Sequence, residues 1–128
     1  MDKREYKYFK LSEFDSPDEL GSGEKMSHEF ILRLDEARSI AKLPFKINSG
    51  MRTKFWNEHL ASKGYKVAKN SAHMKGLAVD IRVKTSRERY IILNALQEVG
   101  LTRFGIGKTF LHVDCDSSKT PNLIWAYY

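Results

Sequence analysis

Apolar residues along the chain repeat with a helical period in three stretches. Those from Phe30 to Ala41 recur every three or four positions and predict a helix over Ser27–Leu43, with Ser27 as N-cap. Pro44 ends this helix because proline lacks a backbone N–H. Two further stretches predict helices over Thr53–Ser62 and Ser86–Val99.

Short runs rich in β-branched and aromatic residues predict five strands between and after these helices. Their ranges are Phe45–Ile47, Leu77–Val83, Thr102–Ile106, Phe110–Cys115 and Ile124–Tyr127. The polar segment Lys63–Lys75 predicts a long loop, and Gly107–Thr109 predicts a hairpin turn. We therefore expect the α+β class, with a central antiparallel sheet flanked by helices.

The length of the chain favours a single domain. One domain over residues 1–128 is typical of a 128-residue sequence, since domains commonly contain about 100–200 residues. Within it we expect residues 1–24 to form an N-terminal arm and loop. The stretch Phe14–Glu24 (FDSPDELGSGE) is its most loop-like part.

Two of the predicted strands carry ionisable residues on one face and apolar residues on the other. In Leu77–Val83 the odd-numbered residues are all apolar, which puts Asp80 on the opposite face because strand side chains alternate. In Phe110–Cys115 the same alternation puts His112 and Asp114 together. If the two strands are neighbours, Asp80 and His112 lie side by side.

His73 precedes the first of these strands by a turn that contains glycine, which can fold it back toward Asp80 and His112. Two imidazoles and one carboxylate are the ligand set of a catalytic zinc, which keeps a position for a water that the metal acidifies. The single cysteine, Cys115, excludes a thiolate-rich site. The alternative is an ordinary hydrogen-bonded histidine and an Asp80 that faces solvent or pairs with Arg82.

Three motifs resemble those of one enzyme family. Ser71–Asp80 (SAHMKGLAVD) has the pattern SxHxxGxAxD of the D-Ala-D-Ala carboxypeptidase family of zinc peptidases, which includes vancomycin-resistance dipeptidases, phage endolysins and Hedgehog-like domains. Gly105–Gly107 followed by Phe110–Asp114 (FLHVD) is similar to the GxG…FxHxD segment of one branch. Asn48–Arg52 (NSGMR) is similar to its SGYR segment. The resemblance extends from about Tyr8 to Trp125 and implies a Hedgehog/DD-peptidase-like fold.

The resemblance also implies roles for individual residues. It implies that His73, Asp80 and His112 bind Zn²⁺. It suggests that Arg52 is a catalytic residue that contacts the substrate, either by pairing with a carboxylate or by polarising the scissile carbonyl. The alternative is an ordinary surface arginine. Ser71 is expected to bind substrate or to hydrogen-bond within the site.

The general base is the point at which this chain departs from the family pattern. Several relatives have an acid three residues before the last histidine ligand, where this chain has Thr109. We predict Asp114 as the catalytic base, and the equal alternative is that it orients a histidine ligand. Asp116 and His59 are further candidates for the base.

Other departures bear on substrate preference and packing. Met51 replaces the tyrosine of SGYR, and Thr53-Lys54 replaces the usual Ser-Pro. We interpret the aromatic tail as packing rather than as a substrate platform. Its members are Trp125, Tyr127 and Tyr128.

The charge of the chain favours anionic partners. Lysine and arginine outnumber aspartate and glutamate by 22 to 16, a net charge of +6, and a basic exterior favours adsorption to an anionic cell wall. The basic residues are scattered, so we do not expect nucleic acid as a partner. No apolar run is long enough for a transmembrane segment, and no apolar signal segment is present. We expect a monomer that is made in the cytoplasm and acts on the wall after release.

The sequence thus predicts a zinc metallopeptidase that hydrolyses an amide bond in the peptide stems of peptidoglycan. Both carboxypeptidase and endopeptidase cleavage fit, and the size and lack of a signal segment suit a phage endolysin. The alternative is a non-catalytic, metal-containing module that binds cell wall or protein. The absence of an acid at Thr109 is the main support for that alternative.

Overall fold

A computed structural model describes residues 5–128. Three helices and five strands form a small α+β domain, which confirms the predicted fold class. The helices are α1 (His28–Ala41), α2 (Lys54–Ser62) and α3 (Ser86–Glu98), and the strands are β1 (Ile47–Ser49), β2 (Ala78–Arg82), β3 (Arg103–Ile106), β4 (Phe110–Asp114) and β5 (Leu123–Ala126). Short 3₁₀ helices span Leu11–Phe14, Ser22–Lys25 and Ala72–Lys75.

Side-chain caps fix the start of each α-helix. The Ser27 hydroxyl accepts a hydrogen bond from the Phe30 N–H at the start of α1, as the sequence predicts. Thr53 caps α2 in the same way. At α3, Thr85 accepts from the N–H of Glu88, whose carboxylate accepts from the N–H of Lys84. Each cap satisfies an amide that has no partner within its helix.

The first strand begins two residues later than predicted. Phe45, expected at its start, is buried in the core, and β1 spans Ile47–Ser49. The strand carries a bulge at Asn48, because Ile47 pairs with Ile81 while Ser49 pairs with the adjacent residue Asp80. The predicted end at Ile47 was wrong because pairing with β2, a tertiary contact, extends the strand to Ser49.

The five strands form one sheet in the order β1-β2-β4-β3-β5. Neighbours are antiparallel except β3 and β5, which are parallel, so the sheet is mixed rather than purely antiparallel. The physical cause is the connection after β4. It leads from Asp114 at the end of β4 to Leu123 at the start of β5, and both of these residues pair with Arg103, the first residue of β3. The strand β5 therefore starts at the same edge as β3 and runs parallel to it.

One face of the sheet is the core. Val79 and Ile81 of β2 and Leu111 and Val113 of β4 are completely buried, as their alternation predicts. The helices α1 and α3 supply further core residues: Phe30, Ile31, Leu34, Ala37, Ile92, Ala95 and Leu96. The opposite face of the same strands is left to carry polar residues.

The N-terminal arm packs onto this domain. Phe9 and Phe14 belong to the core, and the Asp15 carboxylate accepts hydrogen bonds from the N–H groups of Gly21 and Gly23. The predicted arm is therefore an ordered part of the fold over its described residues, and its residues 1–4 lie outside them. Among residues 5–128, no helix has the length and apolar character needed to cross a bilayer.

Candidate metal centre

A single row of residues crosses the polar face of the sheet from one edge to the other. Ser49 pairs with Asp80, Asp80 with His112, His112 with Gly105, and Gly105 with Trp125. Asp80 and His112 are thus direct cross-strand neighbours, with side chains close enough to interact. The neighbour relationship of β2 and β4 on which the sequence argument depended is confirmed.

A tight turn brings His73 to this row. His73 lies in the 3₁₀ helix Ala72–Lys75, where the Ser71 hydroxyl accepts a hydrogen bond from the His73 N–H. Gly76 ends the turn with a φ of +71°, which favours glycine. A Cβ at Gly76 would lie 2.3 Å from the Lys25 carbonyl oxygen, so both conformation and space select glycine here.

Three donor atoms from His73, Asp80 and His112 converge, all within 4.8 Å of one another. Asp80 Oδ1 lies 3.3 Å from His73 Nε2 and 2.9 Å from His112 Nδ1. His73 is 2% exposed, and its Nε2 has no hydrogen-bond partner among residues 5–128. A buried ring nitrogen without a partner is costly unless a ligand satisfies it. The donor set and this nitrogen both fit a divalent metal such as zinc.

Hydrogen bonds fix the tautomer of each histidine. His73 Nδ1 lies 2.8 Å from the Gly50 carbonyl oxygen, which can only accept, so Nδ1 carries the proton and Nε2 presents a lone pair. His112 Nε2 lies 2.8 Å from Asp114 Oδ2, so this nitrogen donates and Nδ1 faces Asp80. Such outer contacts orient metal-binding histidines.

The protonation of the cluster follows from burial and its carboxylates. Burial lowers the pKa of His73, which keeps this ring neutral. Burial also acts to lower the pKa of His112, but its hydrogen bonds to Asp114 and Asp80 outweigh it and raise that pKa. Burial opposes ionisation of Asp80, yet His73 and His112 outweigh it and lower the Asp80 pKa. Asp80 is therefore an anion at neutral pH.

Asp114 is buried behind His112 and accepts three hydrogen bonds. It is 2% exposed, and it accepts from His112 Nε2 and, at 2.7 Å, from Arg103 Nε. The Asp116 N–H is a third donor. Burial opposes its ionisation, but the bonds to His112 and Arg103 lower the pKa of Asp114 overall. Arg103 in turn lies 5.0 Å from the ring of Trp125, a cation–π contact.

Arg52 lies against Asp80 at the β1 side of the cluster. Its Nη2 is 3.3 Å from Asp80 Oδ2, and its Nε donates to the Ser49 hydroxyl at 3.1 Å. Its side chain is only 11% exposed, and burial lowers its pKa while Asp80 opposes that shift. The Arg52 N–H donates to the His73 carbonyl, which ties the arginine to the turn.

The cluster opens into a cleft of about 960 Å³. Aromatic rings from α2 and β5 form its apolar lining, chiefly Trp56, Trp125 and Tyr127, and Tyr65 follows α2. Its basic lining includes Lys66 and Lys119 as well as the arginines at positions 52 and 103. Of the acids in residues 5–128, those that line this cleft are Asp80 and Asp114. The cleft therefore has an excess of positive charge.

The structure brings some predicted site residues together and not others. His73, Asp80, His112, Arg52, Ser71 and Asp114 all line the cleft. Asp116 does not, because its carboxylate bonds to Lys75 at 2.9 Å and to the Ser118 hydroxyl at 2.7 Å. His59 stacks on Trp56 at 4.9 Å, and it too lies outside the cleft lining.

Sequence reasoning missed Arg103, Trp125 and Tyr127 as residues of the site. Arg103 and Gly105 share the polar face of β3, so strand alternation was an available signal for Arg103. Trp125 lies in β5 and Tyr127 directly follows it, and the parallel pairing of this strand with β3 is a tertiary feature. Their interpretation as packing is incomplete, because both rings also line the cleft.

Comparison with known protein families gives a match. The M15 peptidase family model described as peptidoglycan L,D-endopeptidase MepK matches residues 18–120, most of the chain. The matched range contains the three metal-site residues, Arg52 and Asp114, and it ends before β5. No match was found among curated proteins or among solved structures.

Proposed function

We propose a zinc-dependent hydrolase activity for this chain, which belongs to the M15 peptidase family of peptidoglycan-hydrolysing metallopeptidases. In this proposal His73, Asp80 and His112 hold one Zn²⁺, and the bond that is cut is an amide in a peptidoglycan peptide stem. The proposed catalytic domain comprises residues 1–128.

One observation carries the proposal. His73 Nε2 is buried, carries a lone pair and lies 3.3 Å from the anionic Asp80, and within the described part of the chain it has no hydrogen-bond partner. The remaining donor, His112 Nδ1, lies 2.9 Å from the same carboxylate oxygen, Asp80 Oδ1. Two imidazoles and one carboxylate match catalytic zinc sites, whereas structural zinc sites have four protein ligands.

The residues around the proposed metal site have separate proposed roles. A bound zinc would supply a Lewis acid and lower the pKa of water at the site. Gly50 and Asp114 hold the two histidines in the tautomers that ligation needs. Arg52 is proposed to bind the substrate beside Asp80, either at a carboxylate or at the scissile carbonyl. Its guanidinium is held by Ser49 and Asp80, which fixes its direction.

For Asp114 we propose the positioning role rather than the general base. A general base needs a free carboxylate oxygen near the substrate, and Asp114 is buried with bonds to His112 and Arg103. Ser71 is proposed to act in a similar way, since its hydroxyl accepts from the His73 N–H. The base prediction for Asp114 stays testable through the variant described in the Discussion.

The cleft supports a peptide substrate of acidic character. Its volume of about 960 Å³ is at the upper end of ordinary ligand sites, and its lining is aromatic and basic. Peptidoglycan stems carry carboxylates, which suit such a lining. The family description favours endopeptidase cleavage, and carboxypeptidase cleavage remains the alternative for the test. Release from the cytoplasm, a phage endolysin origin and the monomeric state stay predictions.

Metal analysis combined with digestion of purified peptidoglycan tests the proposal. We expect about one zinc per chain and soluble stem fragments whose masses identify the bond that is cut. The variant His73→Ala should lose both zinc and activity. His28→Ala is the matched control, since His28 is an exposed histidine on α1 that bonds to Tyr6.

A different result would favour the non-catalytic module. Two observations support the module: position 109 is a threonine rather than an acid, and Asp114 is hydrogen-bonded to Arg103. Zinc-loaded protein that retains its fold and sediments with peptidoglycan, but releases no fragment, would contradict the hydrolase proposal and support the module.

A further inference from the structure

The strand β5 brings two aromatic side chains to the metal centre from outside the residues that the family model matches. Trp125 pairs with Gly105, which pairs with His112 on the next strand. A Cβ at Gly105 would lie 2.5 Å from Tyr127 Cε2 and 2.7 Å from Trp125 Nε1. The rings of Trp125 and Tyr127 thus fill the space that the glycine leaves beside His112.

Tyr127 is held in place from several sides. Its N–H donates to the Ile106 carbonyl at 3.0 Å, and its ring lies 5.3 Å from the ring of Phe110. Its ring also meets that of His112 edge-on, with centroids 6.3 Å apart. A ring fixed by a backbone bond and by neighbouring rings is pre-organised, so little freedom remains to be lost when a ligand binds.

Tyr127 lines the same cleft as Arg52. Tyr127, Arg52, Asp80 and His112 all line the cleft, and the Tyr127 ring lies 6.3 Å from that of His112. Burial raises the pKa of the Tyr127 phenol, and its side-chain hydrogen bond with Trp125 opposes that shift. A phenol has an ordinary pKa near 10, so at neutral pH its O–H is a donor. The cleft therefore offers two hydrogen-bond donors, the Arg52 guanidinium beside Asp80 and the Tyr127 phenol, whose ring contacts His112.

We propose that Tyr127 is a catalytic residue whose hydroxyl donates a hydrogen bond to the carbonyl oxygen of the scissile amide. The inference rests on the proposed function. Negative charge develops on that oxygen as the carbonyl is attacked, and a fixed donor stabilises it most at that stage. Tyr127 keeps its proton throughout, and no bond to it forms or breaks.

The competing explanation is that Tyr127 only packs against Gly105 and His112. The variant Tyr127→Phe separates the two, since it keeps the ring and removes the hydroxyl. Tyr128→Phe is the matched control, because Tyr128 is the adjacent tyrosine and is 73% exposed. Both variants would be prepared with the same zinc content and their melting temperatures compared.

The kinetic test uses soluble cross-linked stem peptides prepared from purified peptidoglycan. We expect Tyr127→Phe to lower kcat by about 100-fold, as loss of one such donor does elsewhere, with KM, zinc content and melting temperature little changed. Tyr128→Phe should match the unmodified chain. An unchanged kcat overturns the proposal, whether or not KM rises. Loss of zinc or of the fold in Tyr127→Phe also overturns it, because the hydroxyl would then be structural.

A binding measurement keeps this test separate from the proposed function. A phosphinic dipeptide analogue has a tetrahedral centre with anionic oxygens, and its binding to the zinc-loaded protein needs no turnover. We expect Tyr127→Phe to weaken its affinity by a factor similar to the loss in kcat. If the unmodified chain fails to cleave peptidoglycan, the proposed function fails, and this titration still decides on Tyr127. Equal affinities for the two proteins, or no binding to either, overturn the proposal.

Discussion

Arg103 and Asp114 are direct partners across strands β3 and β4, and Arg103 Nε lies 2.7 Å from Asp114 Oδ1. The other carboxylate oxygen of Asp114 accepts from His112. The pairing of these two strands thus allows Arg103, Asp114 and the proposed metal ligand His112 to form one chain of hydrogen bonds. The registry of the sheet, rather than any one loop, holds the orientation of His112.

This relationship predicts the effect of Asp114→Asn. The amide is similar in shape but loses the charge that holds His112 and Arg103, so we expect zinc affinity to fall by about 10- to 100-fold. Competition with a chromophoric chelator measures that affinity. If affinity is unchanged while hydrolysis is lost, Asp114 is the general base that the sequence predicts, and the positioning role is excluded.

Zinc should stabilise the folded chain. A ligand that binds only the native state at 100 times its dissociation constant adds about 2.7 kcal/mol to the free energy of unfolding. For a domain of this size that raises Tm by on the order of 10 °C, which calorimetry with zinc or with a chelator measures. His73→Ala should show no zinc-dependent rise, whereas His28→Ala should keep it. An equal rise in His73→Ala would place the metal elsewhere.

The affinity for zinc should fall in acid, and the fall should begin above pH 6.5. His112 must lose the proton on Nδ1 before it can bind a metal, and its bonds to Asp114 and Asp80 raise its pKa above the ordinary value. Below that raised pKa the apparent affinity should fall about tenfold per pH unit. Chelator competition across pH 5–8 measures this. In Asp114→Asn the onset should move to lower pH, and an identical profile would contradict the assignment.

In the metal-free chain, His73 and His112 should have opposite effects on how the free energy of unfolding changes with pH. The raised pKa of His112 gives stability that is complete below its unfolded value, about 6.5, and is lost as pH rises through the folded value. The lowered pKa of His73 gives stability that is present above about pH 6.5 and is lost as pH falls. Denaturant unfolding in the presence of a chelator measures this free energy at each pH. We expect His73→Gln to lose less of it than the unmodified chain as pH falls.

Gly105→Ala should disturb the aromatic wall and leave the metal in place. The new methyl group would overlap the rings of Tyr127 and Trp125, which must move outward with the edge strand β5. Overpacking of this kind costs about 1–3 kcal/mol of unfolding free energy. Tryptophan fluorescence and zinc analysis together check this. Unchanged tryptophan fluorescence would show that the rings do not move. Loss of zinc would show that the metal site depends on their position.

Much of the local structure could be predicted because its causes are local. Ser27 caps its helix through a bond to the amide three residues away, so sequence spacing alone identifies it. Alternation likewise assigned Asp80 and His112 to the polar face. The start of β1 was wrong because Phe45 is buried as a core residue and the strand is defined by distant pairing with β2.

The sequence by itself determined the residue types and their order: two histidines and an aspartate at strand and turn positions where chemistry and alternation allow a shared face. Tertiary structure alone decided what each of them touches. That Asp114 is held by Arg103 and His112, and that Tyr127 lines the cleft from the end of a parallel edge strand, depend on strand order and register. Those properties arise from contacts between segments far apart in the chain, whose geometry no local spacing encodes.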